Sequence, residues 1–419
     1  MAVCVSFATA PSTSAQTPSS PPRPDPATPT SEQAATPPQA DTRAELLRKE
    51  REAKEAAVKP YVRNGFESAM HYIEEDAIFL LTREGLYPKL GSLTTGSGFA
   101  AGLGYRNSRV FNRHGIFDVY AAGTLKKYWA LEASATFPKL ADDHLFLQAY
   151  GGRREYPQED FFGLGPDARR EDQVAFDLTT NRFGGRAGVK PVSKVMFGGG
   201  AELLQQSVGR GRDERVPSIE ERFDDQAAPG LARQPDFLRT SAFVDIDYRK
   251  PLYARNGGWY RAEYSHIDDR DYDTYTFNRL DVDLRQYVGF FAERRVLSGR
   301  VFMSTSDAEN GQQVPFYLMP YLGGNDTLRG FREYRFRGPN LLLMQAEYRF
   351  EIWSGLDMAF FYDTGKVALR RSELDLKDLE KDYGVGFRFN TDSGVVMRVD
   401  AAFGSRDGRH LYITFGGVF

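Results

Sequence analysis

The 419-residue sequence has a single cysteine, Cys4, near the start of the chain. One thiol can form no disulfide within the chain and no multi-thiol metal site. Histidine is scarce as well. His71, His114, His144, His266 and His410 are scattered with no H-x-x-x-H or similar ligand spacing, so neither a metal nor a cofactor is expected. No stretch approaches the roughly 18 uninterrupted apolar residues of a membrane-spanning helix, and mean hydropathy is -0.49. Neither sign of charge predominates: 54 Lys and Arg against 57 Asp and Glu leave a net of -3. A balanced chain has no built-in bias toward nucleic acid, which is not expected as a partner. Enzyme signatures are missing too. There is no Gly-x-Ser-x-Gly elbow, and neither Thr95-Gly96-Ser97-Gly98 nor Gly198-Gly199-Gly200 runs on into the Gly-Lys-Ser/Thr of a phosphate loop. The chain is therefore not expected to be an enzyme.

What the chain has instead is 31 Phe, 22 Tyr and 40 Gly, arranged with a period of two from about Ser92 onward. Near the C-terminus Leu411, Ile413, Phe415, Gly417 and Phe419 fall on one face, and His410, Tyr412, Thr414 and Gly416 on the other. Leu280, Val282 and Leu284 oppose Arg279, Asp281, Asp283 and Arg285; Val395, Met397, Val399 and Ala401 oppose Arg398 and Asp400. A soluble sandwich also alternates, but it needs a second set of apolar faces to cover the first. Here strand after strand has a large apolar face, and nothing remains to cover it. Lipid outside and a hydrated, mixed-charge lumen inside satisfy both faces. Segments of about nine or ten residues suit a bilayer crossing at a tilt of about 45°.

The alternation predicts an all-β, transmembrane antiparallel β-barrel of about sixteen strands over 92–419, running from Ser97–Arg106 to His410–Phe419. Val174–Thr180 and Phe183–Pro191 count as two of these strands. The longest gaps, Gly209–Asp236 and Thr305–Asn340, are loops long enough to be functional. Ahead of the barrel, 1–16 ends on small residues (Thr13, Ala15) and reads either as an export signal or as an unstructured terminus. Residues 17–41, rich in Pro, Ser, Thr and Ala, read as a disordered linker. Residues 42–91 read as a periplasmic helical extension. It holds a charge-paired helix to Lys59 with Glu45/Lys49, Glu50/Lys54 and Arg51/Glu55 at i,i+4, then an amphipathic helix with Phe66, Ala69, Met70 and Ile73 on one stripe.

The second long loop contains Tyr321-Leu322-Gly323-Gly324-Asn325-Asp326-Thr327-Leu328-Arg329-Gly330-Phe331 and closes with Gly338 and Asn340. The next strand carries Glu347, and the thirteenth reads Phe361-Tyr362-Asp363-Thr364-Gly365. On that strand Phe361, Asp363 and Gly365 share the face opposite Phe360 and Tyr362, so Asp363 is expected to point into the lumen. Taken alone, Arg329 reads better as an exposed loop cation. Together with Phe162-Gly163-Leu164-Gly165-Pro166, however, this set resembles the BamA/TamA superfamily of barrels, the bacterial surface antigens. That family has an R-G-F/Y loop between its eleventh and twelfth strands and an F-x-D-x-G motif on its thirteenth.

The resemblance covers about Ser92 to Phe419 and implies a loop folded back through the lumen. In this chain it would be anchored by Arg329, Gly330 and Phe331 on Glu347, Phe361, Asp363 and Gly365. It implies a C-terminal assembly signal at Leu411, Ile413, Phe415 and Phe419. The implied partners are outer-membrane lipid, the barrel assembly machinery and unfolded client polypeptides. The implied location is integral to the cell outer membrane, with the N-terminal extension periplasmic. Such a protein inserts or translocates polypeptide, with a lateral seam between its first and last strands; the alternative is a passive channel or structural barrel. No POTRA-like module is recognisable in the 91 residues before the barrel, so the chain reads either as a barrel-only member or as a sequence truncated at its N-terminus.

Overall fold

The computed structural model describes Lys49 and residues 84–415, apart from 95, 111–113, 213–214, 250–253, 354 and 392–393. The export signal, the linker and Phe419 lie outside these residues. So do the two N-terminal helices, except for Lys49, which is helical.

Sixteen strands form one antiparallel sheet in which each pairs with the next in chain order. They are β1 (Gly85–Gly91), β2 (Ala100–Arg109), β3 (Gly115–Thr124), β4 (Trp129–Leu140), β5 (Leu145–Phe161), β6 (Val174–Val192), β7 (Val195–Arg210) and β8 (Asp236–Asp247). The second half comprises β9 (Gly257–Asp269), β10 (Phe277–Phe290), β11 (Arg295–Ala308), β12 (Asn340–Trp353), β13 (Leu356–Ala368), β14 (Glu380–Thr391), β15 (Gly394–Ser405) and β16 (Gly408–Phe415). The sheet curls into a nearly closed barrel. Among the described residues no ladder joins β1 to β16. Short turns such as 193–194 and 291–294 lie at one end; long loops such as 162–173, 211–235 and 309–339 lie at the other.

The expected number of strands is correct, but two of the assignments behind it are not. β1 lies before residue 92, inside the stretch read as helical extension, and pairs with β2 from Gly85↔Arg106 to Gly91↔Ala100. It is short, bounded by glycines and interrupted by Pro88. A sheet tolerates proline on an edge strand, where one row of hydrogen bonds is free. Conversely, Val174–Thr180 and Phe183–Pro191 are one strand, β6. The apparent break at Asn181-Arg182 marks a change of surroundings. Outward positions are apolar or small from Phe183 to Val189 and turn polar at Asn181, whose Oδ1 accepts a hydrogen bond from Arg153 Nη1 at 3.3 Å. Above that level β5, β6 and β7 continue toward the loop end.

There they join a dome at the loop end with its own apolar core. Phe161 of β5, Phe176 of β6, Phe237 of β8 and Phe277 of β10 meet Ile219 and Phe316 from the loops. The ring of Phe316 lies 5.1 Å from those of both Phe161 and Phe176.

Below the dome the faces alternate as expected. Leu284 and Val288 on β10 and Phe360 and Tyr362 on β13 are exposed outward, while Asp283 and Asp363 are buried inward. Leu284 lies midway along β10, where lipid is the only solvent. Leu284→Arg is expected to destabilise the barrel by about 2–4 kcal/mol. Leu376→Arg, also exposed but in the 369–379 loop, should cost less than about 0.5 kcal/mol. The urea midpoints of the two variants refolded into lipid vesicles check this.

Candidate functional site

The loop between β11 and β12, residues 309–339, is the longest of the loops that turn inward. Its neck is a two-residue ladder, Tyr321↔Arg337 and Leu322↔Phe336. Beyond the neck the chain reverses compactly, with Gly324 N–H donating to Phe331 O at 3.0 Å and to no wall strand. The foot of this reversal is apolar: Leu322, Leu328, Phe331 and Phe336 pack on Leu341 and Leu343 of β12 and Val367 of β13. Phe331 therefore serves packing, its ring 5.3 Å from that of Phe336.

Arg329 lies beside this foot, completely buried. Its guanidinium forks onto Asp363 of β13, Nε to Oδ2 at 2.6 Å and Nη2 to Oδ1 at 2.8 Å. Its third nitrogen donates to Glu347 Oε2 of β12 at 3.1 Å, and lies 3.7 Å from Asp400 Oδ2 of β15. The guanidinium plane covers Phe361, 3.5 Å from the ring centre. Such a charge is tolerable in a dry interior only when paired and fully hydrogen-bonded, and the fork with a cation–π contact meets that condition. The exposed-cation reading of Arg329 does not hold.

The two glycines mark close approaches. A Cβ on Gly330 would lie 2.4 Å from Asp382 Cβ of β14, and one on Gly365 would lie 2.5 Å from Leu342 O. Arg329, Gly330, Phe331, Glu347, Phe361, Asp363 and Gly365 are thus brought together. Leu411 and Ile413 are far from them, on the outward face of β16, 69% and 63% exposed. Phe415 is the last residue of β16, paired with Met397 of β15.

Sequence reasoning missed half of the charge network. Arg388 of β14 donates to Glu347 Oε2 at 2.6 Å and to Asp400 Oδ1 at 2.6 Å. Arg398 of β15 donates to Asn325 O at 2.8 Å and Asp326 Oδ1 at 2.7 Å, holding the tip of the loop. Gln345 of β12 donates to Thr327 O at 2.8 Å. Four buried arginines, Arg329, Arg349, Arg388 and Arg398, therefore face three ion-paired buried carboxylates, Asp363, Glu347 and Asp400. All belong to the inward polar faces visible in the alternation. The stagger of the strands, which decides who reaches whom, is not visible there.

The same loop touches both sides of the seam. Toward the first strands, Thr94 Oγ1 donates to Glu333 Oε1 at 3.1 Å, and lies 3.1 Å from the Tyr334 hydroxyl. Toward the last strands, Tyr412 Oη donates to Phe331 O at 2.9 Å, and the Ser405 hydroxyl donates to Gly330 O.

The other half of the lumen is different. Along β3 to β9 the inward side chains form half-buried pairs, among them Arg182–Glu132 at 2.9 Å and Arg239–Glu263 at 3.0 Å. They border an open space of about 360 Å3.

Residues 267–416, which hold the entire inward loop and its anchor, match the Omp85 superfamily domain. No curated protein matches the chain in sequence. Among solved structures, the chain is similar to BamA of Haemophilus ducreyi lacking POTRA domains 1-3. The TM-score is 0.56 at 11% identity, covering 83% of this chain and 78% of that one. It is also similar to CdiB of Escherichia coli, with a TM-score of 0.51 at 11% identity over 83% of this chain and 69% of that one. At that identity the structural likeness speaks for a common fold. The family match and the fold agree: the part of this sixteen-stranded barrel from 267 to 416 is similar to the Omp85 superfamily domain.

Proposed function

We propose that this protein is an integral outer-membrane barrel that inserts or translocates polypeptide, with its long loops outward and its N-terminal extension in the periplasm. The observation that carries this reading is the seam. Every neighbouring pair of strands has a ladder except β1 and β16 among the described residues, where the inward loop bridges the two sides instead. In a bilayer an unpaired strand edge has no water to satisfy it. Such an edge is tolerated where it is covered or used, and a client strand adding to it supplies both affinity and register. The loop, held by Arg329 on β12 and β13, ties down the wall beside the seam while the seam itself is left to open.

Depletion tests the reading: levels of other outer-membrane barrels, or secretion of a client polypeptide, should fall. Unchanged levels and secretion would count against it. The half-buried ion pairs around the space along β3 to β9 favour one alternative, a passive channel. That alternative requires large, steady single-channel conductance from the purified chain, which the insertion reading does not.

A further inference from the structure

A cavity of about 720 Å3 lies at the loop end of the seam, between the inward loop, the 125–128 loop and β16. Its lining includes His410, Leu411 and Tyr412, three consecutive residues of β16. Alternate residues of a strand face opposite sides, so a cavity that touches all three wraps around the free edge of β16. On its inner side are the lumen-facing His410 and Tyr412; on its outer side are Leu411 and Leu125, both exposed where lipid lies.

The inner wall has more cations than carboxylates, with Lys126, Lys127, Arg212, Arg215 and Arg332 against Asp160 and Glu333. Arg212 is already met by Glu155 at 2.6 Å and Asp177 at 3.0 Å. Lys126, Lys127 and Arg332 are not met by any carboxylate among the described residues. Lys126 Nζ donates to Gly96 O at 2.6 Å, and Arg332 Nη1 to Gln173 Oε1 at 2.9 Å, both neutral acceptors. His410 Nε2 is buried with no hydrogen-bond partner among the described residues. Glu333, on the same wall, adds little negative charge at neutral pH. Burial, reinforced by the nearby Glu159 carboxyl, pushes its own carboxyl up to about 9.

We propose that this cavity binds the phosphoryl headgroup of an anionic lipid, with Lys126, Lys127 and Arg332 on the phosphoryl oxygens and the acyl chains leaving past Leu411 and Leu125 into the bilayer. The apolar rim selects a lipid over a free anion. A solvated phosphate gains nothing from it, whereas each buried methylene of a chain adds to the binding. The inference needs only that the barrel sits in a membrane. It stands or falls independently of any insertion activity.

The test uses the full chain in a non-ionic detergent, with bound lipid read by native mass spectrometry. Lipid A is expected to be retained and phosphatidylcholine not, and millimolar inorganic phosphate should leave the retained lipid in place. The double variant Lys126→Glu, Lys127→Glu should weaken lipid A binding by at least about tenfold, the equivalent of one lost charge-assisted contact. Lys139→Glu, at the far end of β4, should not. Heat-modifiable gel mobility shows whether each variant is folded; if the double reversal does not fold, Lys127→Gln alone should weaken binding in the same direction. Unchanged affinity in the folded variants would overturn the proposal. Displacement by inorganic phosphate would assign the site to a soluble anion and overturn it too.

Discussion

Replacing Arg329 with alanine is expected to destabilise the barrel by about 3–5 kcal/mol, the usual cost of removing one partner from a buried ion pair. The loss is one-sided. Asp363, Glu347 and Asp400 stay buried, and Arg388, Arg398 and Arg349 pair with Glu347 or Asp400 while none of their ion pairs reaches Asp363. Arg329→Lys should recover only part of the loss, because a point charge cannot fork onto Asp363 or lie flat on Phe361. Asp363→Arg should do more damage than either, since it sets two guanidiniums against each other. The urea midpoint and the heat-modifiable band report stability, and cell-envelope integrity reports activity. If Asp363→Arg assembled and worked normally, the pairing would not be what holds the loop. Partial rescue by Arg329→Asp combined with Asp363→Arg would show that it is.

A second large effect is expected at the other end of the loop, with a different outcome. Phe316 is fully buried where the rings of Phe161, Phe176 and Tyr317 converge, and truncating it to alanine should cost about 3–5 kcal/mol. That energy belongs to the dome, not to the strand ladders below it. The expected result is local opening, with protease cutting within 211–235 and 309–320 while the barrel keeps its heat-modifiable mobility. Simultaneous loss of the barrel would mean that dome and wall unfold as one unit.

These two sites differ in how far they could be read from the sequence. The fold was legible because lipid imposes a rule on every second residue, as Leu280, Val282 and Leu284 against Asp281 and Asp283 illustrate. The rule fails where lipid is absent. β6 passes from outward apolar positions at Phe183 to Val189 to a polar one at Asn181 and then into the dome, where Val174, Ala175 and Phe176 are all buried, so one pattern does not run its length and it reads as two strands. β1 failed for another reason: seven residues with Pro88 among them carry too little period to distinguish an edge strand from a loop. Arg329 and Asp363 were legible as a pair only because their flanking residues carried a resemblance; spacing gave Asp363 its direction but not its partner. Arg388, Arg398 and Asp400 could be assigned to the lumen but not to each other. Their meeting depends on cross-strand register such as Arg388↔Arg398, which no local pattern encodes.

The Arg329 network also has a consequence for the order of events as the chain folds. Its anions and their supporting cations come from β12, β13, β14 and β15, whereas the arginine they receive is made before any of those strands. Until all four are aligned, there is no pocket in which a bare guanidinium can be desolvated. A slip of one residue in any of them would turn its charged side chains toward lipid. The loop can therefore dock only onto a correctly registered wall, which makes its docking a proofreading step: misaligned barrels are left with a loose loop and an unneutralised lumen, and only the aligned one is locked.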